Sequence, residues 1–483
     1  MAGLANRAAY LTLARLANYG LMLVSPIILV RVLSVEQFGH YREFLLYASV
    51  LQAIGAFSVY DSLLYFIPAH PESPWRIVRQ TAVLAFTSSS LVAAGLAICD
   101  WVSGGAVVGH YLWPLVLYLM LSTNLDFWEY FWLANHRSAA MFAYSGGRLA
   151  LRLAVVITAA TISHDVGTII GSLIVLEALR LAGSAIAFLL LDRSREEPPL
   201  AEPWRAQLRF CLPSGGGSLI ATLNQSLTSV VVAKVLGAAA LAQYAIGRFA
   251  EPIVAIVRNS ISTVVLPEMV RRGRNPSANP LALWQRATVM NAMFLLPVAV
   301  LVARYAEPLI VTVFGASYAP AATVMQIYML IIVRECFDFA PALRAINRAT
   351  PIVFSNLAAM LAGGIALVVL LPKAGINGAM AAAVLAAFVD CAWLGRSVAK
   401  YHGVTLRALV PWASILRTAL AAVLAGGVIA SSIWTDTLGI VGVVLAGATY
   451  LAVYALLLKV LRVPEAAALF ASVRRTVAGG SRA

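Results

Sequence analysis

Apolar runs long enough to cross a bilayer recur along almost the whole chain and constrain it more than any other feature. VFSNLAAMLAGGIALVVLL, residues 353–371, carries no charge and has the length of about 20 residues that a helix needs to span a hydrocarbon core. Only 12% of the 483 residues are charged and 61% are hydrophobic, whereas soluble domains hold about 25% charged residues. That shortfall excludes a water-soluble enzyme, a disordered chain and a nucleic-acid-binding domain. Apolar segments between polar breaks predict spans near 10–30, 41–67, 80–99, 111–133, 141–160, 167–191, 211–233, 241–266, 285–306, 321–340, 351–371, 377–399, 413–433 and 439–461. At about 20 residues each, these use about 280 residues, leaving loops but no folded soluble domain. The expected fold is an all-α polytopic membrane protein with about 14 transmembrane helices. The N-terminal MAGLANRAAYLTLARLANYG lacks the charged region, apolar core and A-x-A site of a signal peptide, and is read as part of the first helix.

Lysine and arginine set the orientation, because cytoplasmic loops retain positive charge. With the N-terminus inside, the inside loops hold Arg7, Arg76, Arg79, Arg137, Arg193, Arg195, Arg205, Arg209, Arg271, Arg272, Arg274, Arg344, Arg348, Lys400 and Arg407. The outside loops hold only Arg31, Lys234, Arg304 and Lys373. Both termini are therefore expected in the cytoplasm. The net charge of +14 follows from this bias and suits anionic lipid headgroups. The segment after Pro464 fits a short interfacial helix or a disordered end equally well.

An internal repeat organises the spans. RVLSVEQFGHY (31–41) returns as KVLGAAALAQY (234–244), and ANHRSAAMF (134–142) returns as AINRATPIV (345–353). Each pair occupies the same topological place in its half. The repeat predicts two six-helix lobes, 1–197 and 198–410, related by an axis along the membrane normal. Two added helices (411–463) and a cytoplasmic tail (464–483) follow. This is the geometry of an alternating-access carrier.

Charges inside the spans are the informative residues, since each costs a few kcal/mol at the bilayer centre unless it has a partner or water. The fifth span carries Arg148 and Arg152 on one face, with no acid in the same span. The eighth carries Arg248, Glu251 and Arg258 in one stripe with Tyr244; the tenth carries Arg334, Glu335 and Asp338, with Arg334 and Asp338 at pairing distance on a helix. Glu177 and Arg180 form a similar pair in the sixth. Asp126 and Glu129 lie in the fourth, Asp61 ends the second, and Arg15 lies in the first. Unpaired intramembrane charge thus reads as mostly arginine. An arginine cluster suits a phosphate or pyrophosphate, which the guanidinium fork binds bidentately. Arg148, Arg152, Arg248, Arg258, Arg15 and Arg334 are the candidate substrate-binding residues, and Asp61, Asp126, Glu129, Glu251 and Asp338 the candidate coupling or counter-charge residues. Sugars need further hydrogen-bonding groups, and Asn224, Gln225, Ser226 and Thr228 in the seventh span are suitable. No histidine falls in a span where it would relay protons. Cys99, Cys211, Cys336 and Cys391 lie far apart and read as packing residues, so neither a metal site nor a cofactor is expected.

The turn LVRVLSVEQFGHYRE (29–43), the segment VFGASYAPA (313–321) and the turn LPKAGINGAMAAA (371–383), set in fourteen spans, resemble the polysaccharide-transporter branch of the multidrug/oligosaccharidyl-lipid/polysaccharide exporter superfamily. The resemblance implies two lobes around a central, often cationic cavity. It implies flipping of undecaprenyl-pyrophosphate-linked oligosaccharides from the inner to the outer leaflet of the bacterial cytoplasmic membrane, for O-antigen, capsule or exopolysaccharide assembly. The implied partners are the lipid-linked substrate, membrane lipids and a periplasm-side polymerase. A lipid II flippase and a cation-coupled multidrug antiporter of the same superfamily are the alternatives; the antiporter would be expected to have an acid-dominated cavity. A membrane enzyme would be expected to place a large catalytic loop outside, whereas the predicted outside loops are short.

Overall fold

The computed structural model describes residues 23–192, 194, 196–198, 204–273, 280–430 and 434–467. Arg15 and most of the tail lie outside these residues. Every regular element among them is helical. In chain order they are α1 (Leu23–Val32), α2 (Val35–Ala56), α3 (Leu63–Ala69), α4 (Pro74–Val102), α5 (Leu112–Thr123), α6 (Trp128–Ala134), α7 (Ser138–Ser163), α8 (Val166–Leu191), α9 (Trp204–Leu236), α10 (Ala238–Gly247), α11 (Glu251–Gly273), α12 (Pro280–Phe314), α13 (Ala321–Glu335), α14 (Ala340–Ala345), α15 (Thr350–His402), α16 (Leu406–Leu409), α17 (Trp412–Ala430) and α18 (Trp434–Val460). Two single 3₁₀ turns, at Gly109–Tyr111 and Ala316–Tyr318, precede α5 and α13.

Among the described residues, seven helices are long and apolar enough to cross a membrane: α4, α7, α8, α9, α11, α12 and α15. α15 contains two predicted spans, because the chain turns at Gly375 (φ 54, ψ −132), a left-handed position open to glycine. Fourteen long helices do not appear, and the physical reason is specific. The second, fourth, eighth and tenth predicted spans are each broken in two, as α2/α3, α5/α6, α10/α11 and α13/α14. The interruptions fall at 57–62, 124–127, 248–250 and 336–339. Phe57 and Ser58 adopt left-handed φ values of 38° and 54° at the first of them. Each interruption holds one of the charges singled out above: Asp61, Asp126, Arg248 and Asp338. An open backbone and a charge have the same need inside a membrane, namely polar partners in place of lipid.

The chain forms two compact units, Met1–Ala242 and Gln243–Ala483. In the first, α2 packs on α4, α5 and α9, and α8 packs on α5 and α7. This places α9, the first helix of the expected second lobe, against the N-terminal helices. The approach is close: a Cβ on Gly215 of α9 would sit 2.6 Å from the Phe57 carbonyl oxygen. Ser34 starts α2 with a reciprocal cap, its hydroxyl accepting from the Gln37 amide at 3.2 Å while Gln37 accepts from the Ser34 amide at 3.0 Å. In the second unit, α12 packs on α11, α13 and α17, and α17 on α18. Trp284 of α12 is fully buried and stacks on Phe339 with ring centroids 4.9 Å apart. The repeated motifs fold alike. His136 in ANHR and Asn347 in AINR are both left-handed, at φ 58° and 56°, and Tyr41 and Tyr244 are both buried.

Candidate functional site

In the first unit the site is built around the break between α5 and α6. An α-helix leaves its last carbonyls without intrahelical partners, which inside a membrane requires donors from elsewhere. Arg180, on the neighbouring α8, supplies them. Its guanidinium donates to the carbonyls of Leu121, Ser122 (3.2 Å), Asn124 (3.0 Å) and Leu125 (3.4 Å). On its other edge, Arg180 Nε meets Glu177 Oε2 at 2.7 Å, one turn away on the same helix. Arg148 of α7 closes the group, with Nη1 2.7 Å from Asp126 Oδ1 and Nη2 3.3 Å from Glu177. Two arginines and two carboxylates thus neutralise one another. Glu177 and Arg180 form the inner pair, with side chains 3% and 8% exposed, whereas Arg148 and Asp126 are each 27% exposed and form the accessible edge.

Arg152 lies one turn beyond Arg148 on α7. Among the described residues no carboxylate comes within ion-pair distance of it, and its charge acts on the hydroxyls of Tyr41 and Tyr118. Asp61 and Glu129 likewise have no ion-pair partner among the described residues, and both act on Tyr130. The expectation that unpaired charge is mostly arginine is therefore corrected. Of the described candidate residues in this unit, Arg152, Asp61 and Glu129 stand outside ion pairs, one arginine and two acids. α8 itself starts at Asp165, whose carboxylate accepts from the Thr168 amide at 2.8 Å; that hydrogen bond holds its pKa below the ordinary aspartate range.

The second unit repeats the theme with other residues. Arg248, in the break between α10 and α11, pairs with Glu251 at 2.9 Å and lies 5.7 Å from the Tyr244 ring centre. Glu251 occupies the first turn of α11, where a negative charge meets the positive helix end. Arg258 pairs with Glu335, and Arg334 pairs with Glu335 at 2.8 Å and with Asp390. Arg334 Nε also donates to the Ala387 carbonyl at 3.2 Å. The expected Arg334–Asp338 pair does not form, because α13 ends at Glu335 and the helical spacing is lost there. Asp338 accepts instead from Ser262 Oγ at 2.6 Å and from the Ala340 amide at 3.3 Å, and its own carbonyl accepts from Trp284 Nε1 at 2.6 Å.

Comparison with known proteins fits this architecture. The sequence matches the polysaccharide biosynthesis protein family over residues 28–323. The chain belongs to this family. Its long apolar helices make it a multi-pass membrane protein. Its fold is similar to that of the lipid II flippase MurJ in an inward closed conformation, with a TM-score of 0.71 and 14% identity over 94% of this chain and 99% of that one. It is also similar to an inward-facing multidrug resistance MATE family transporter of the MOP superfamily, at TM-score 0.57 and 14% identity over 80% and 95% of the two chains. A variant of the Vibrio cholerae MATE transporter VcmN aligns at TM-score 0.54 and 12% identity, over 84% and 98%. At these identities the likeness establishes the fold alone. No curated protein sequence matches the chain.

Two features of the chain escaped the motif reading although the sequence carries a signal for both. Asp126-Phe127 returns as Asp338-Phe339, marking the two equivalent breaks. Glu177, Leu181 and Ser184 return at the same spacing as Asp390, Leu394 and Ser397, so each half carries a carboxylate at one position of its sixth helix. Asp390 was missed because its partner Arg334 lies on another helix, and spacing within one span reveals only local pairs.

Proposed function

We propose that this transporter flips undecaprenyl-pyrophosphate-linked oligosaccharide units from the inner to the outer leaflet of the bacterial cytoplasmic membrane by alternating access, for O-antigen, capsule or exopolysaccharide assembly. Both termini face the cytoplasm, and a periplasm-side polymerase receives the product. The observation that carries the reading is Arg152: of the candidate arginines that are described, it is the one with no carboxylate at ion-pair distance. Its guanidinium fork can take pyrophosphate oxygens bidentately. Arg148 is the second anchor, since its accessible edge can exchange Asp126 for phosphate. Arg248, Arg258, Arg334 and Arg15 contribute positive field. Membership of a polysaccharide biosynthesis family supports the cargo class.

The test is mass spectrometry of polyprenyl-linked sugars with leaflet-specific labelling, in cells carrying the wild-type gene, a deletion or Arg152→Ala. Inner-leaflet oligosaccharide is expected to build up in the deletion and in the variant. Build-up in the deletion alone would remove Arg152 from the site. Accumulation of lipid II would favour the reading to which the MurJ-like fold points. A change in drug resistance with no accumulation would favour a cation-coupled antiporter, for which the open acids Asp61 and Glu129 are the observation.

A further inference from the structure

A cleft at the start of α4 carries two guanidiniums that the transport reading leaves unused. The amides of Trp75 and Arg76, at the free N-terminus of α4, donate to the Glu197 carboxylate at 3.0 and 2.8 Å. Ser73 Oγ donates to the Pro198 carbonyl and Arg76 Nε to the Glu197 carbonyl, both at 2.9 Å. The helix start is therefore already capped, and the segment ahead of α9 is fastened beside it. The back wall is fixed too: Gln80 donates to Gln207 at 2.9 Å, and Gln207 donates to Ser62 and Thr81 at 2.7 Å each. In front of this wall lies a cavity of about 780 Å³ lined by Arg76, Arg79, Gln80, Val83, Leu84 and Trp204. Neither Arg76 nor Arg79 has a carboxylate at ion-pair distance among the described residues.

The order along the helix is informative. Positive charge sits at residues 76 and 79, and apolar side chains follow at 83 and 84, about 6 Å further along the axis. Val83 is 60% and Trp204 50% exposed, so the lower part of the cleft is an open apolar wall. We propose that this cleft binds an anionic glycerophospholipid, with its phosphate between Arg76 and Arg79 and an acyl chain along Val83, Leu84 and Trp204. A free phosphate ion would use the arginines but gain nothing from the apolar wall. A zwitterionic lipid would use the wall but bring a cation to the arginines. The bound lipid would join the starts of α4 and α9, both within the first unit. The inference is independent of the cargo assigned above.

Native mass spectrometry of the full chain in detergent tests it, with phosphatidylglycerol and phosphatidylcholine of identical chains as probes. Phosphatidylglycerol adducts are expected to exceed phosphatidylcholine adducts about tenfold, the worth of one charge-assisted hydrogen bond. Arg76→Gln/Arg79→Gln should abolish the preference, and Arg76→Lys/Arg79→Lys should keep most of it. Val83→Glu, a surface change that leaves both arginines in place, should also lower phosphatidylglycerol binding by repulsion. Equal adducts of the two lipids on the wild-type protein would overturn the proposal, as would an unchanged preference in the glutamine pair. Displacement of phosphatidylglycerol by millimolar inorganic phosphate would overturn it as well, by showing that the apolar wall adds nothing.

Discussion

The two units meet the same problem, a transmembrane helix broken at an Asp-Phe pair, with different chemistry. At the N-terminal break, Arg180 reaches across from α8 to four carbonyls, and Asp126 is ion-paired to Arg148. The C-terminal break, around Asp338, is held by other groups. A hydroxyl from Ser262, an amide from Ala340 and the indole of Trp284 serve there. The carboxylates at the repeated position of the sixth helix also differ. Glu177 holds two arginines, whereas Asp390 holds one, and Arg334 keeps a second acid in Glu335. A duplicated scaffold therefore retains the break and the acid of the sixth helix while the cations move between helices. The N-terminal unit concentrates its fastening in one side chain; the C-terminal unit spreads it over several.

That contrast is broken most directly at its two central arginines. Arg180→Ala removes the ion pairs with Glu177 (2.7 Å) and Asp126 (3.6 Å) and the donors of four carbonyls, leaving buried Glu177 with Arg148 alone. It is expected to cost about 3–5 kcal/mol, read as lost thermal stability of the detergent-purified protein. Arg180→Lys should recover part of this, since an ammonium pairs with Glu177 but cannot fan across the break. Arg334→Ala should cost clearly less than Arg180→Ala. Equal losses would mean that the fastening is not concentrated in the N-terminal unit.

The acids give the next contrast. Glu177→Gln leaves two guanidiniums sharing Asp126, at an expected cost of about 3 kcal/mol. Asp390→Asn leaves Arg334 paired with Glu335, and should cost about half as much by the same thermal measurement. Smaller again is Arg152→Ala. It breaks no ion pair, so its stability should stay within about 0.5 kcal/mol of wild type while transport falls.

The all-helical fold and its long apolar helices were legible in the sequence because hydropathy depends on local composition. Charge even marked the broken helices: Asp61, Asp126, Arg248 and Asp338 all sit in interruptions. The breaks themselves were not legible, since an apolar window such as 111–133 looks the same whether its helix is continuous or split. Pairing between helices was equally hidden. Arg148 looked unpaired because its acids, Asp126 and Glu177, lie on two other segments. Arg334 was assigned Asp338 by a spacing that held only as long as the helix was assumed to continue.

The smallest expected effect distinguishes how the repeated sixth helices begin. α8 starts from a titratable cap, Asp165, whereas the corresponding part of α15 leaves a turn at Gly375 with no carboxylate nearby in PKAGINGAM. Asp165 has a pKa lowered chiefly by the Thr168 amide, with a further contribution from the Thr168 hydroxyl. A group with a depressed folded-state pKa stabilises fully above its unfolded value, and that stabilisation is lost as pH falls through the folded one. Acidification below the ordinary aspartate range should therefore loosen the first turn of α8 and leave the turn after Gly375 unchanged. Amide-exchange protection, corrected for intrinsic rates, is the readout. Asp165→Ser keeps a capping oxygen without a titrating proton, so protection at Thr168 and Ile169 should become independent of pH. If both helix starts lose protection together in the wild-type protein, acid is acting on the fold as a whole, and the difference between the two starts is not one of capping chemistry.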